Sequence, residues 1–160
     1  MKPAAKLPAV QAVLFDAYGT LFDVYSVGLL AEQLFPGKGE ALSLLWRDKQ
    51  IDYTRLVSMS GRYQPFWELT RAGLRYAAAR LKLDLTPERE MQLLAQYRHL
   101  SAFPENKPVL QALKARGVPT GILSNGDPEM LGIAVRSAGY VDDKGQGLLD
   151  HVLSVESVQR

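Results

Sequence analysis

The hydrophobic pattern of the chain changes character twice. Val13, Leu14 and Phe15 are apolar without alternation, the pattern of a strand covered on both faces, and the strand expected over residues 10–16 stops abruptly on Asp16. Residues 26–100 then carry no convincing strand. Helical patterns run over Val27 to Phe35, Gly39 to Met59, Phe66 to Leu81 and Pro87 to Leu100, the last with Thr86 as N-cap and Pro87 in the first helical position. Beyond residue 100 helix and strand alternate again. Val109 to Arg116 is predicted helical and closed by Gly117, and Val118 to Leu123 is a predicted strand. Asp127 and Pro128 open a further helix that Gly139 ends, and His151 to Val155 is a last short strand. A strand, a helical insertion and renewed alternation predict an α/β fold. Its Rossmann-like parallel sheet core takes residues 10–24 and 101–160, and a helical cap takes residues 25–100.

Composition narrows the reading. With 160 residues, 47% apolar and 22% charged, the chain is long enough for one ordinary domain and too apolar for disorder. The net charge of +2 is spread along the chain, and the densest cluster, Lys82 to Glu90, carries both signs, so no nucleic-acid partner is expected. There is no cysteine, and the two histidines, His99 and His151, stand far apart in the chain, which excludes a disulfide framework and a thiolate or imidazole metal cluster. The leader MKPAAKLPAVQ lacks the apolar centre of a signal peptide, and nothing later approaches the ~20 apolar residues of a membrane span. A cytoplasmic protein without a membrane partner is the expectation.

Open parallel sheets bind ligands at the carboxyl ends of their strands, and two polar stations stand there, Asp16 and Ser124-Asn125-Gly126. Pattern alone leaves their use open. Asp16 either caps the turn through Gly19 and Thr20 or does chemistry. Ser124 and Asn125 either terminate a strand, with Asp127 as helix N-cap, or present polar groups beside a helix N-terminus that favours anions. Arg47 lies mid-helix, with Leu44 and Ile51 on the same face, and either snorkels to solvent or points into a site.

Four blocks bear on these choices: FDAYGTLFDV at 15–24, LWRDKQIDYT at 45–54, RYQPFW at 62–67 and ILSNGDPEML at 122–131. In this order, and covering nearly the whole chain, they resemble the L-2-haloacid dehalogenase branch of the haloacid dehalogenase superfamily. The resemblance implies that Asp16 is a carboxylate nucleophile supported by Thr20, and that Arg47 attracts the substrate anion and receives the halide. It further implies that Ser124 and Asn125 bind the substrate carboxylate, and that Tyr18, Ile51, Phe66 and Trp67 form an apolar wall around the carbon–halogen bond.

Tyr18 stands where phosphatases of the superfamily usually carry a second acid. A departing halide needs no proton, so its loss suits carbon–halogen cleavage and weakens the case for Mg²⁺. The implied reaction converts a short L-2-haloalkanoic acid to a D-2-hydroxy acid through an aspartyl ester, releasing a halide ion with no metal or organic cofactor. Related enzymes are often dimers, which makes a homodimer the family expectation. Two alternatives stand beside it: a phosphatase of the same superfamily, and an inactive remnant acting as an interaction module through an open strand edge.

In the resembling family a lysine in a Lys-Pro pair follows the third strand, with two further strand units after it. The chain here ends VESVQR at 155–160, and Arg160 is a poor substitute because it precedes the expected position and no Pro follows it. The expectation is therefore a core that is incomplete in these residues, an apolar Val10 to Phe15 edge, and a longer parent chain by two βα units, roughly 60 residues.

Overall fold

The computed structural model describes residues 10–140, 144 and 146–158; residues 1–9 of the leader and Arg160 lie outside them. Three parallel strands, β1 (Val13–Phe15), β2 (Thr120–Ser124) and β3 (His151–Ser154), form a sheet in the order β1-β2-β3. Val13 is paired with Thr120 and Phe15 with Ile122, while Gly121 is paired with His151 and Ser124 with Ser154. Both crossovers step across the sheet in the same direction. Right-handed connections therefore put the two following helices, α5 (Asn106–Ala115) and α6 (Pro128–Ser137), on one face. Thr120, Ile122 and Ser124 point to that covered face and are buried, together with Leu110 of α5 and Met130, Leu131 and Ala134 of α6.

Between β1 and α5 run α1 (Gly28–Leu34), α2 (Gly39–Ser60), α3 (Phe66–Arg80) and α4 (Pro87–Tyr97). The long α2 packs against both α1 and α3. Trp46 is fully buried, and its indole Nε1 donates to the carbonyl of Thr70 at 2.7 Å, which fixes α2 against α3. Trp46 also meets Tyr97 of α4 at 4.9 Å between ring centroids. Tyr18, Phe22, Tyr97 and Tyr140 continue this aromatic core toward the sheet. An α/β fold with a parallel sheet and a helical segment after the first strand is what the changes of hydrophobic period predict.

The predicted helix starts at Thr86-Pro87 and Asp127-Pro128 are found as expected. Thr86 Oγ1 accepts from the N–H of Arg89 at 3.3 Å, and Asp127 Oδ1 accepts from that of Met130 at 2.8 Å. Most boundaries agree to within two residues, and three elements differ by more. α5 begins at Asn106 rather than Val109, because Pro108 falls in the first turn, where a missing N–H costs nothing. α4 ends at Tyr97, where the N–H groups of Arg98 and His99 turn to carbonyls three residues back and tighten the exit. β1 spans three residues instead of seven.

The larger correction concerns coverage. Leu14 is 58% exposed, and Leu123 and Leu153 on the same side of the sheet are exposed as well. Among the described residues, α5 and α6 cover only the opposite face, so the apolar run of β1 is not buried on both sides. Among the described residues β1 is also an edge of the sheet, paired with β2 alone.

Candidate active site

The sharp turn after β1 sets up the first wall of the site. The N–H groups of Leu21 and Phe22 both donate to the carbonyl of Ala17, at 2.9 and 3.0 Å, and Gly19 adopts φ +98°, a left-handed conformation costly for other residues. Asn106 at the start of α5 donates through Nδ2 to the carbonyl of Leu21 at 2.9 Å, bracing the loop from below. Asp16 is left exposed at the strand end, and Thr20 Oγ1 donates to its Oδ2 at 3.5 Å, a long hydrogen bond.

Tyr18 turns inward. Its ring lies 5.4 Å from Phe66 and 6.0 Å from Tyr97, the residue is 4% exposed, and its hydroxyl has no hydrogen-bond partner among the described residues. Burial, reinforced by Tyr97 and Asp127, pushes its pKa well above the ordinary phenol value, so Tyr18 is a neutral phenol and no substitute for a carboxylic acid.

The end of β2 supplies the second wall. Ser124 is buried, and its Oγ accepts from the N–H of Gly126 at 3.1 Å, while Ser154 Oγ donates to the carbonyl of Gly126 at 2.7 Å. A Cβ on Gly126 would lie 2.7 Å from Cε2 of Tyr18, so glycine is required for the two loops to approach this closely. Asn125 between them is exposed.

The third wall is α2. Arg47 donates through Nη2 to the carbonyl of Tyr18 at 2.7 Å and through Nη1 to Oε1 of Gln50 at 2.8 Å. The same oxygen of the fully buried Gln50 accepts from the Tyr97 hydroxyl at 2.9 Å, and Gln50 Nε2 reaches Thr70 Oγ1 at 2.6 Å. Thr70 in turn donates to the carbonyl of Phe66 at 2.8 Å. Arg47 is thus held by a satisfied network spanning α2, α3 and α4, which fixes a cation at the cavity wall.

One cavity of about 310 Å³ joins these walls, within the size range of small-molecule sites. Asp16 and Tyr18 line it from the first loop, Arg47 and Ile51 from α2, Phe66 from α3, and Ser124 and Asn125 from the end of β2. Thr20 is outside the lining but bonded to Asp16. Trp67 is not brought to the cavity. Consecutive helical residues diverge by about 100°, and with Phe66 turned inward Trp67 faces a second cavity, where the Arg98 guanidinium lies 4.2 Å over its ring.

Thr54 and Arg55 line the site without having been singled out from the sequence, and Gln50, Tyr97 and Thr70 support it unannounced. Their signal was periodicity: Ile51, Thr54 and Arg55 follow Arg47 at four, seven and eight residues, one face of a helix. Among the described residues, no three His, Asp or Glu side chains cluster as a metal ion would need.

A family model for haloacid dehalogenase-like hydrolases matches residues 10–155. The chain belongs to the haloacid dehalogenase-like hydrolase family. Within this family it is similar to the (S)-2-haloacid dehalogenase of Pseudomonas sp. (strain YL), 41% identical over 94% of this chain and 62% of that protein. It is also similar to haloacetate dehalogenase H-2 of Moraxella sp. (strain B), at 39% identity over 94% of this chain and 65% of that one. Among solved structures, the L-2-haloacid dehalogenase RSc1362 superimposes with a TM-score of 0.87 and 61% identity, covering 94% of this chain and 66% of its own. The L-2-haloacid dehalogenase from Xanthobacter autotrophicus with chloropropionic acid covalently bound superimposes with a TM-score of 0.83 and 37% identity, covering 94% and 58%. The chain therefore spans between 58% and 66% of the length of these haloacid dehalogenase relatives.

Proposed function

We propose that this protein hydrolyses short L-2-haloalkanoic acids to D-2-hydroxy acids through an ester on Asp16. The observation that carries the reading is the convergence of an exposed carboxylate, a fixed guanidinium and two strand-end polar residues on one small cavity with Tyr18, Ile51 and Phe66 as apolar lining. Curated relatives named (S)-2-haloacid dehalogenase support the substrate class.

In this mechanism the substrate carboxylate is held by Ser124 and Asn125 near the N-terminus of α6. An Asp16 oxygen attacks the α-carbon in line, forming a C–O bond as the carbon–halogen bond breaks, and the halide leaves with the bonding electrons toward Arg47 and Asn125. Configuration inverts at that step. Water then attacks the carbonyl carbon of the Asp16 ester and the acyl C–O bond to the product breaks; one proton of that water goes to the departing alkoxide oxygen to give the hydroxy acid, and the other passes to solvent as the carboxylate is restored. Neither step asks for a proton from the Tyr18 position, whereas a phosphatase would need an acid there. On this reading the helices of residues 25–100 act as a cap over the strand ends of a core formed by residues 10–24 and 101–160, with α2 delivering Arg47.

Incubation of the natural full-length protein with L- and D-2-chloropropionate, followed by halide titration and chiral analysis of the lactate, tests the reading. Chloride release from the L-enantiomer alone, giving D-lactate, is expected. No chloride from either enantiomer overturns it.

A further inference from the structure

The cavity holds a second guanidinium that the proposed reaction does not use. Arg55 lines it from the same face of α2 as Arg47 and Ile51, eight residues on from Arg47 and so about 12 Å along the helix axis. The two arginines differ in how they are held. Arg47 donates to Gln50 and to the Tyr18 carbonyl, whereas Arg55 is exposed and makes no hydrogen bond or ion pair among the described residues. Asp52, one turn before Arg55, is engaged by Lys49 at 2.7 Å. With Ser124 and Asn125 on the substrate's first carboxylate and Arg47 on the halide, Arg55 is left without an ion-pair partner among the described residues, and the carboxylates of Asp48 and Asp52 line a neighbouring cavity with it. On α2 it stands one turn beyond Ile51 and lines the same cavity.

We infer that Arg55 selects for 2-halo dicarboxylic acids, pairing with a second carboxylate at the end of the chain that runs past Ile51. The inference rests on the dehalogenase reading and deepens it, since the bonds made and broken at Asp16 are unchanged. Arginine suits the role because its planar fork matches a carboxylate in two parallel hydrogen bonds. Side-chain freedom in the unliganded protein lets the same residue fold away from a neutral alkyl chain.

The test compares L-2-chloroglutarate with L-2-chlorovalerate, which share five carbons and differ at the terminus, on the full-length protein by chloride release. The ratio of their kcat/KM values is expected to favour the diacid, to fall about tenfold in Arg55→Gln, and to recover in part in Arg55→Lys, with the change mainly in KM. A ratio unmoved by Arg55→Gln, or diacid turnover absent while the monoacid is turned over, overturns the inference and leaves the dehalogenase reading standing. Chloride release from neither substrate overturns both. A loss of packing would lower both substrates together and would not be rescued by lysine, so it too moves the readout against the inference.

Discussion

Arg47 Nη2 donates to the backbone carbonyl of Tyr18 at 2.7 Å, two residues beyond Asp16 in the same loop. One side chain therefore ties α2 to the strand-end turn and places a cation beside the cavity in which the carboxylate stands. Arg47→Lys keeps the charge and loses the fork that serves Gln50 and Tyr18 at once. Chloride release from L-2-chloropropionate is expected to fall about a hundredfold in kcat/KM, the order seen when one preorganised electrostatic donor is lost. Rates near the parent value would show that Arg47 positions nothing.

Gln50 is fully buried and serves three partners, accepting from Arg47 and Tyr97 and donating to Thr70. Gln50→Leu preserves bulk and takes one hydrogen bond from each of the three. Urea unfolding is expected to show a loss of about 3 kcal/mol, since each buried polar group left unsatisfied costs about 1–3 kcal/mol. A loss below the error of the measurement would contradict the network.

Tyr18 carries a buried hydroxyl with no partner among the described residues, and burial holds its pKa above the ordinary phenol value. The unfolded chain ionises Tyr18 near pH 10 while the folded protein keeps it protonated, so its ionisation leaves stability untouched below that value and lowers it as pH rises through it. Tyr18→Phe is expected to be neutral or stabilising by about 1 kcal/mol at pH 7, and to lose less Tm between about pH 9 and 11 than the parent. Equal alkaline losses in the two proteins would contradict the assignment.

Gly126 lets the β2 turn close onto Tyr18, and a Cβ there would sit 2.7 Å from the ring. Gly126→Ala is expected to destabilise by about 1–3 kcal/mol through overpacking and to misplace Ser124 and Asn125, lowering kcat as well as Tm. An alanine variant with parent Tm would show that the loops are looser than this contact implies.

The order of elements was legible because each has a strong local cause: the change from unbroken apolar runs to helical spacing after Asp16, the Thr86-Pro87 and Asp127-Pro128 helix starts, and the glycine stops. Asp16, Arg47, Ser124 and Asn125 were legible because strand ends and quoted motif blocks single them out. Coverage of β1 was not, since an apolar triplet records which side chains avoid water and not which elements shield them; Leu14 lies on the face that α5 and α6 leave open. Trp67 was misjudged because adjacency to Phe66 in a helix means divergence. Gln50 and Tyr97 were invisible because they are 47 residues apart and meet only when the end of α4 comes against α2, where Tyr97 also meets Trp46.

The central claim is that Asp16 becomes covalently bonded to the substrate. A single turnover of L-2-chloropropionate in heavy-oxygen water, with the full-length protein in excess, tests it most directly by mass analysis of both the lactate and the peptide bearing Asp16. Attack of water on the Asp16 ester leaves the lactate unlabelled and places the heavy oxygen in the Asp16 carboxylate. Labelled lactate with an unlabelled Asp16 peptide would mean that water attacks the substrate directly, and the ester mechanism would be wrong.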